Sequence, residues 1–280
     1  MTEHALFHLF LLSQILVISF YYPNRLLGRL NHVFETYPPA THPRLYPKPI
    51  ESYRTSHRNY MIANRIIILA GFFLLAGLII TPRSGDWDKA ILTWFFMLQI
   101  VPLFLLDLGA LREFKLMRNA NPNATRRAEL RPRHLFDFVS PAYLGVAIAT
   151  YIAFAAFIIF VNQFEFPWFG GYQNVVGITA MNLFFAGIVL WNMYGKKPNP
   201  LQANEDRMRQ IEMSVKVLMF TSIAATIFIS LSIVLSAFEL NHLQAIVQAV
   251  YFQILAVASF QCYLQPSTNF EVYKDDPALA

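Results

Sequence analysis

Between Val217 and Phe238 the chain reads VLMFTSIAATIFISLSIVLSAF, 22 residues without one Lys, Arg, Asp or Glu. A helix rises 1.5 Å per residue, so about 20 apolar residues cross roughly 30 Å of hydrocarbon. The stretch therefore has the length and solvent preference of a membrane span. Six more blocks share its character: Ala5 to Tyr21, Tyr60 to Thr81, Ala90 to Leu106, Pro141 to Val161, Val175 to Tyr194, and Leu243 to Leu264. Arg65 is the one charge within them, close enough to an end for its head to reach the interface. A charge at a helix centre would cost roughly 2.5 to 3.5 kcal/mol, which explains its rarity there. The expected fold is all-α: a polytopic transmembrane helical bundle of about seven spans.

Composition agrees. The 280 residues are 56% apolar and 14% charged, against about a quarter charged in soluble domains. No connection is long enough for a second core. A single transmembrane domain is expected over residues 1–264, with loops at 22–59, 107–140 and 195–216 and a tail at 265–280. The formal charge of +5 does not point to nucleic acid, because the basic residues flank the apolar blocks and suit anionic lipid head groups. Cys262 is the only cysteine, so an internal disulfide is excluded.

Assigning the connections alternately to two sides separates the charges. Six Lys/Arg lie between the first two blocks, with Arg65 near the start of the second making seven; seven more follow the third, five the fifth, and Lys274 is in the tail, whereas the other side has only Arg83 and Lys89. Cytoplasmic loops are enriched in Lys and Arg, so the N-terminus is expected outside and the C-terminus inside, as in a bacterial inner-membrane protein. The short outer connections are aromatic (Phe164, Phe166, Trp168, Phe169, Tyr172, with Trp87 nearby), as suits the interface.

The first block is short and carries His8, Ser13 and Gln14, which leaves open six spans with this block lying in the interface. It lacks the preceding Lys or Arg and the small-residue cleavage pattern of a signal peptide. After it, Leu26, Leu30, Val33 and Phe34 recur at helical spacing, and a short amphipathic helix on the inner membrane surface is expected. The prolines between Tyr37 and Pro49 favour an extended, polyproline-like path. In the second loop the third helix should run on to Asn119 and turn at Asn121, Pro122 and Asn123, with an unglycosylated cytoplasmic sequon at Asn123 to Thr125.

Candidate chemistry is sparse. Gln244, Gln248, Tyr251, Ser259 and Cys262 share one face of the last span, while Gln253 and Gln261 point elsewhere. That face should turn inward, either as interhelical hydrogen-bonding glue or as the lining of a ligand cavity. His4 and His8, one turn apart, would converge with His242 on zinc, copper or haem iron if the first and last spans were neighbours. No cofactor is expected otherwise. Arg126, Arg127, Arg131 and Arg133 form a cluster suited to a phosphate-bearing lipid or an acidic partner. Asp107 and Asp137 are placed for interfacial pairs with Arg112 or Arg133, and Gly145, Ala149 and Ala153, like Ser222, Thr226 and Ser230, have the spacing for close helix packing.

The chain lacks the full histidine boxes of a di-iron desaturase, an H-E-x-x-H helix, a G-x-S-x-G elbow and a Walker loop. Lys216 starts the sixth span and the seventh has no lysine, so a retinal Schiff base of the usual kind has no attachment point. Two readings of function remain. One is a non-catalytic accessory or scaffold whose basic inner loops dock a membrane-protein partner or anionic lipid. The other is a carrier or intramembrane enzyme for a lipophilic molecule, using the polar face of the last span.

Overall fold

The computed structural model describes residues 2–81, 86–120, 133–264 and 268–274, without the side chains of 2–4 and 86–88. Helices α1 (Thr2–Gln14) and α2 (Tyr22–Thr36) are joined without a break by a π-helical stretch, Ile15–Tyr21. They are followed by α3 (Ile50–Ile80), α4 (Asp86–Ala120), α5 (Pro141–Val161), α6 (Gln173–Tyr194), α7 (Asn204–Ala237) and α8 (Gln244–Tyr263). Among the described residues there is no strand, and seven helical segments are long and apolar enough to cross a membrane. The first block is one of them, extended as a continuous helix over Ala5–Thr36.

Pro23 accounts for the π-helical stretch. A proline ring clashes with the carbonyl four residues back and offers no N–H. Widening the turn relieves the clash, and the Tyr22 N–H reaches the Val17 carbonyl, five residues back. Backbone bonding thus continues past the end of the apolar block. The expected surface-lying amphipathic helix is instead the continuation of the first span, with Tyr22, Pro23 and Leu26 buried in the bundle.

The helices form two groups. In the first, α1, the π-helical stretch, α3, α4 and α8 enclose Leu11, Ile15, Ile67, Leu92, Phe95 and Ala249. Phe96 stacks on Phe252 with centroids 4.2 Å apart, and Tyr22 on Phe260 at 4.9 Å. Gly71 sets the closeness of α3: a Cβ there would lie 2.7 Å from Phe95 Cζ and 2.9 Å from Ile15 Cγ1. In the second group α7 packs against α5 and α6, around Phe154, Ile158, Ile178 and Ile233. The groups meet where α7 lies on α8, with Phe228 and Tyr251 stacked at 4.4 Å.

Two packing expectations are corrected. Gly145, Ala149 and Ala153 face outward, and a Cβ at Gly145 would meet nothing within 4 Å. The opposite face of α5, with Phe154, Ile158 and Val161, supplies more apolar area and takes the contact. The proline-rich run is not extended throughout either. It turns where the Thr41 and His42 N–H groups donate to the Pro38 carbonyl, then forms a 3₁₀ turn at Pro43–Leu45. Aromatic packing holds that shape, with Tyr37 stacked on Phe270 at 4.4 Å and the Tyr46 hydroxyl donating to the Tyr37 carbonyl at 2.7 Å.

The long connections gather at one end of the bundle. Lys48 pairs with Glu113 at 3.4 Å, Arg118 donates to the Lys197 carbonyl at 2.7 Å, and Arg207 to the Gly195 carbonyl at 2.7 Å. The C-terminal segment joins them: Asn199 donates to the Tyr273 hydroxyl at 2.7 Å, and the Asn269 N–H to Asp206 at 2.8 Å. Burial pushes the Tyr273 phenol up to about 12, so it is neutral near pH 7 and accepts that bond as a hydroxyl.

Replacing Gly71 by Ala forces two buried side chains aside and should cost about 1 to 3 kcal/mol. Gly145→Ala, in open space, should leave stability within about 0.5 kcal/mol or raise it slightly. Unfolding midpoints of the two variants in the same detergent check the contrast.

Candidate functional site

The most polar constellation inside the bundle runs along α8. Gln244 and Gln248 are one helical turn apart, and both are buried. Gln248 Nε2 donates to Thr93 Oγ1 at 2.5 Å and to the Lys89 carbonyl at 3.1 Å, tying α8 to α4. Gln244 lies nearer the end opposite the long loops. Its Oε1 accepts from Lys89 Nζ at 2.7 Å, and its Nε2 donates to Ser236 Oγ at 2.5 Å and Asn241 Oδ1 at 2.9 Å. One amide thus links α4, α7 and the turn before α8.

Two further layers were not anticipated from sequence. Gln14 Nε2 donates to Gln99 Oε1 at 2.8 Å, and Gln99 Nε2 donates to Ser19 Oγ at 3.0 Å. Gln14, Ser19 and Gln99 are all at most 3% exposed, so this triad is sealed between the first span and α4. Ser13 Oγ donates to Gln253 Oε1 at 3.1 Å, joining the first span to α8. The sequence signal for these layers was present, since Ser13 and Gln14 stand out in an apolar block. They marked the block as doubtful, whereas the structure uses them as its attachment. Gln253, read as pointing away from the polar face, points at the first span.

The second helix group is clasped in the same way. Ser222 donates to Asn182 Oδ1 at 2.5 Å between α7 and α6, and the hydroxyls of Tyr151 and Thr179 lie 2.6 Å apart between α5 and α6. Ser222, Thr226 and Ser230 are partly or fully buried on α7, where Thr226 and Ser230 each donate to the carbonyl four residues back.

Tyr251 is half-buried against Phe228, while Ser259 and Cys262 lie half-buried further along α8. Beside Gln244, a recess of about 200 Å³ opens between Trp168, Asn174, Phe228, Ser232 and Ser236. Asp107 takes the Tyr263 hydroxyl at 2.6 Å in place of an arginine. Asp137 accepts from the His134 N–H at 2.8 Å, closing a local turn.

α1 packs along α8, so the helix carrying His8 neighbours the segment led by His242; the His4 side chain lies outside the described residues. Among the described residues, no three His, Cys, Asp or Glu side chains are grouped to hold a metal ion. Arg126, Arg127 and Arg131, like the sequon at Asn123, lie outside the described residues, while Arg133 donates to the Met193 carbonyl at 3.0 Å.

Chemically, the α8 seam consists of neutral amides and hydroxyls around one lysine. Amides neither gain nor lose a proton near neutral pH, so the seam suits fixed hydrogen bonding rather than proton transfer. Compared with protein-family models, curated proteins and solved structures, the chain matches none.

Gln248→Leu strips Thr93 Oγ1 and the Lys89 carbonyl of a buried donor, and should cost about 1 to 2 kcal/mol. Gln261→Leu, on the exposed side of α8, should change stability by no more than about 0.5 kcal/mol. Chemical unfolding of both variants in mixed micelles measures the difference.

Proposed function

We propose that this chain is a non-catalytic multi-pass membrane component whose basic end, facing the cytoplasm, docks a partner with an acidic surface. One observation carries the reading: α3, α4 and α7 are longer than a bilayer crossing needs, and their charged ends are tied to the segments that connect them. α3, α4 and α7 have 31, 35 and 34 residues, which is about 46 to 52 Å of helix against roughly 30 Å of hydrocarbon. From Asp107 to Ala120, α4 continues for about 20 Å, well past a head-group layer about 6 Å deep on each side.

Exposed cations decorate the extensions: Arg54 and Arg58 on α3, Arg112 and Lys115 on α4. Arg54, Arg112 and Lys115 lie about 9 Å or more along their helices from the apolar runs, beyond the head-group layer, which favours a partner reaching in from water over a lipid head group; Arg58 sits at head-group depth. The ties from Lys48 to Glu113, Arg118 to Lys197 and Asn199 to Tyr273 hold the described segments 37–49 and 195–203 against the helix ends, so docking on these would order little new backbone.

The competing reading is a carrier or enzyme for a lipophilic molecule, supported by the recess beside Gln244. It is the weaker one, because the Gln244 amide is already engaged by Lys89, Ser236 and Asn241. A ligand would have to compete with all three.

Purification from native membranes in mild detergent, followed by mass spectrometry, should recover a stoichiometric partner. Reversing Arg54, Arg58, Arg112 and Lys115 to Glu should lower its recovery about tenfold or more, with a matching sensitivity to salt. A chain isolated alone from native membranes, or a partner retained undiminished by the reversed variant, would overturn the proposal.

A further inference from the structure

A second recess, of about 500 Å³, lies on the basic side, between the start of α5 and α7. Phe136, Asp137, Ser140, Tyr143, Glu212 and Lys216 line it. Its depth is set by sequence: the charge-free run of α5 begins at Pro141 and that of α7 at Val217. The Tyr143 hydroxyl donates to the Lys216 carbonyl at 3.3 Å, which holds the two starts level. The recess therefore sits where lipid head groups sit.

Its chemistry is mixed. Lys216 Nζ touches Glu212 Oε1 at 2.5 Å, which occupies one of three ammonium protons and one of two carboxylate oxygens. Asp137 is exposed and gives one oxygen, Oδ2, to the His134 N–H. The lining carries two carboxylates and one ammonium, so a purely anionic guest would meet net repulsion. A guest with a cationic donor next to an anionic phosphate would satisfy both signs.

Apolar surface continues from the recess into the bilayer. At helical spacing, Phe220, Ile223, Ile227 and Leu231 follow Lys216 along one face of α7. Ile227 is 54% exposed and Leu231 39%, so this face is open to an acyl chain. On the basic side the ring of Phe136 is 59% exposed beside the recess. Polar head and greasy track are continuous, as in an amphiphile.

We infer that this recess binds a phospholipid with a primary-ammonium head group, of the phosphoethanolamine type. The phosphate meets the Lys216 ammonium and the Ser140 hydroxyl, the ligand's ammonium meets Asp137 and the outer oxygen of Glu212, and one chain lies along Ile227 and Leu231. The methylated choline head group, with no N–H to donate, and an anionic glycerol head group, with no cation, fit less well.

The test uses the full chain purified in mild detergent, with phosphatidylethanolamine, phosphatidylcholine and phosphatidylglycerol of identical acyl chains added in turn. Phosphatidylethanolamine in excess should raise the unfolding midpoint by about 3 to 6 °C, and the other two by less than a third of that. Asp137→Asn and Lys216→Gln, both at exposed positions, should each remove most of the shift. Glycerophosphoethanolamine, the same head group without chains, should give no shift at matched concentration. Equal shifts from all three lipids, an undiminished shift in both variants, or a full shift from the chainless head group would each overturn the inference.

Discussion

A polar group inside hydrocarbon must find its partner within the protein, and this structure is organised around that constraint. An unpaired amide or hydroxyl in lipid costs several kcal/mol, and there is no water to offset it. Several buried polar side chains answer one another across helix boundaries: Gln14 and Ser19 with Gln99, Ser13 with Gln253, Gln248 with Thr93, Gln244 with Lys89 and Ser236, Ser222 with Asn182. Apolar contact alone would not select one arrangement, since lipid tails are as apolar as leucine. Specific pairs favour one arrangement, because a different pairing of helices would part these donors from these acceptors.

The same constraint separates what is fixed from what is open. α8 touches the first span, α4 and α7, and its amides are engaged with each of them, so it acts as the keystone between the two helix groups. α5 and α6 lie at the periphery with broad apolar faces turned outward, including the Gly145 stripe. At the basic end the rule changes, because water is present. There, ion pairs, carbonyl-directed arginines and stacked rings such as Tyr37 on Phe270 build a platform that side-chain amides alone do not explain.

Much of the fold is legible in the sequence because the penalty for charge in lipid is large and local. Charge-free runs such as Val217 to Phe238 declare themselves without knowledge of any neighbour. The inward face of α8 is legible too, since Gln244 and Gln248 differ by one turn and amides avoid lipid. The partners of those amides are not legible. Nothing in one chain states that α4 will lie beside the first span, so Gln14 read as a blemish in an apolar block and Gln99 passed unnoticed. Gly145, Ala149 and Ala153 show the converse: small residues permit close approach but do not compel it, and Phe154 and Ile158 on the opposite face won the contact. Pro23 carried a real signal for local helix distortion, but relief by a π-helical stretch rather than a break depends on the packing of Tyr22 and Leu26 against the bundle.

The claim that interhelical amide pairs hold this bundle together is tested most directly at the Gln14 and Gln99 pair. A double-mutant cycle with Gln14→Leu, Gln99→Leu and both, read as unfolding free energies in one detergent–lipid mixture, isolates their coupling. The expected value is a favourable coupling of about 0.5 to 2 kcal/mol. Two single losses that add to within about 0.3 kcal/mol would contradict it, and with it the view that these amides specify which helices meet.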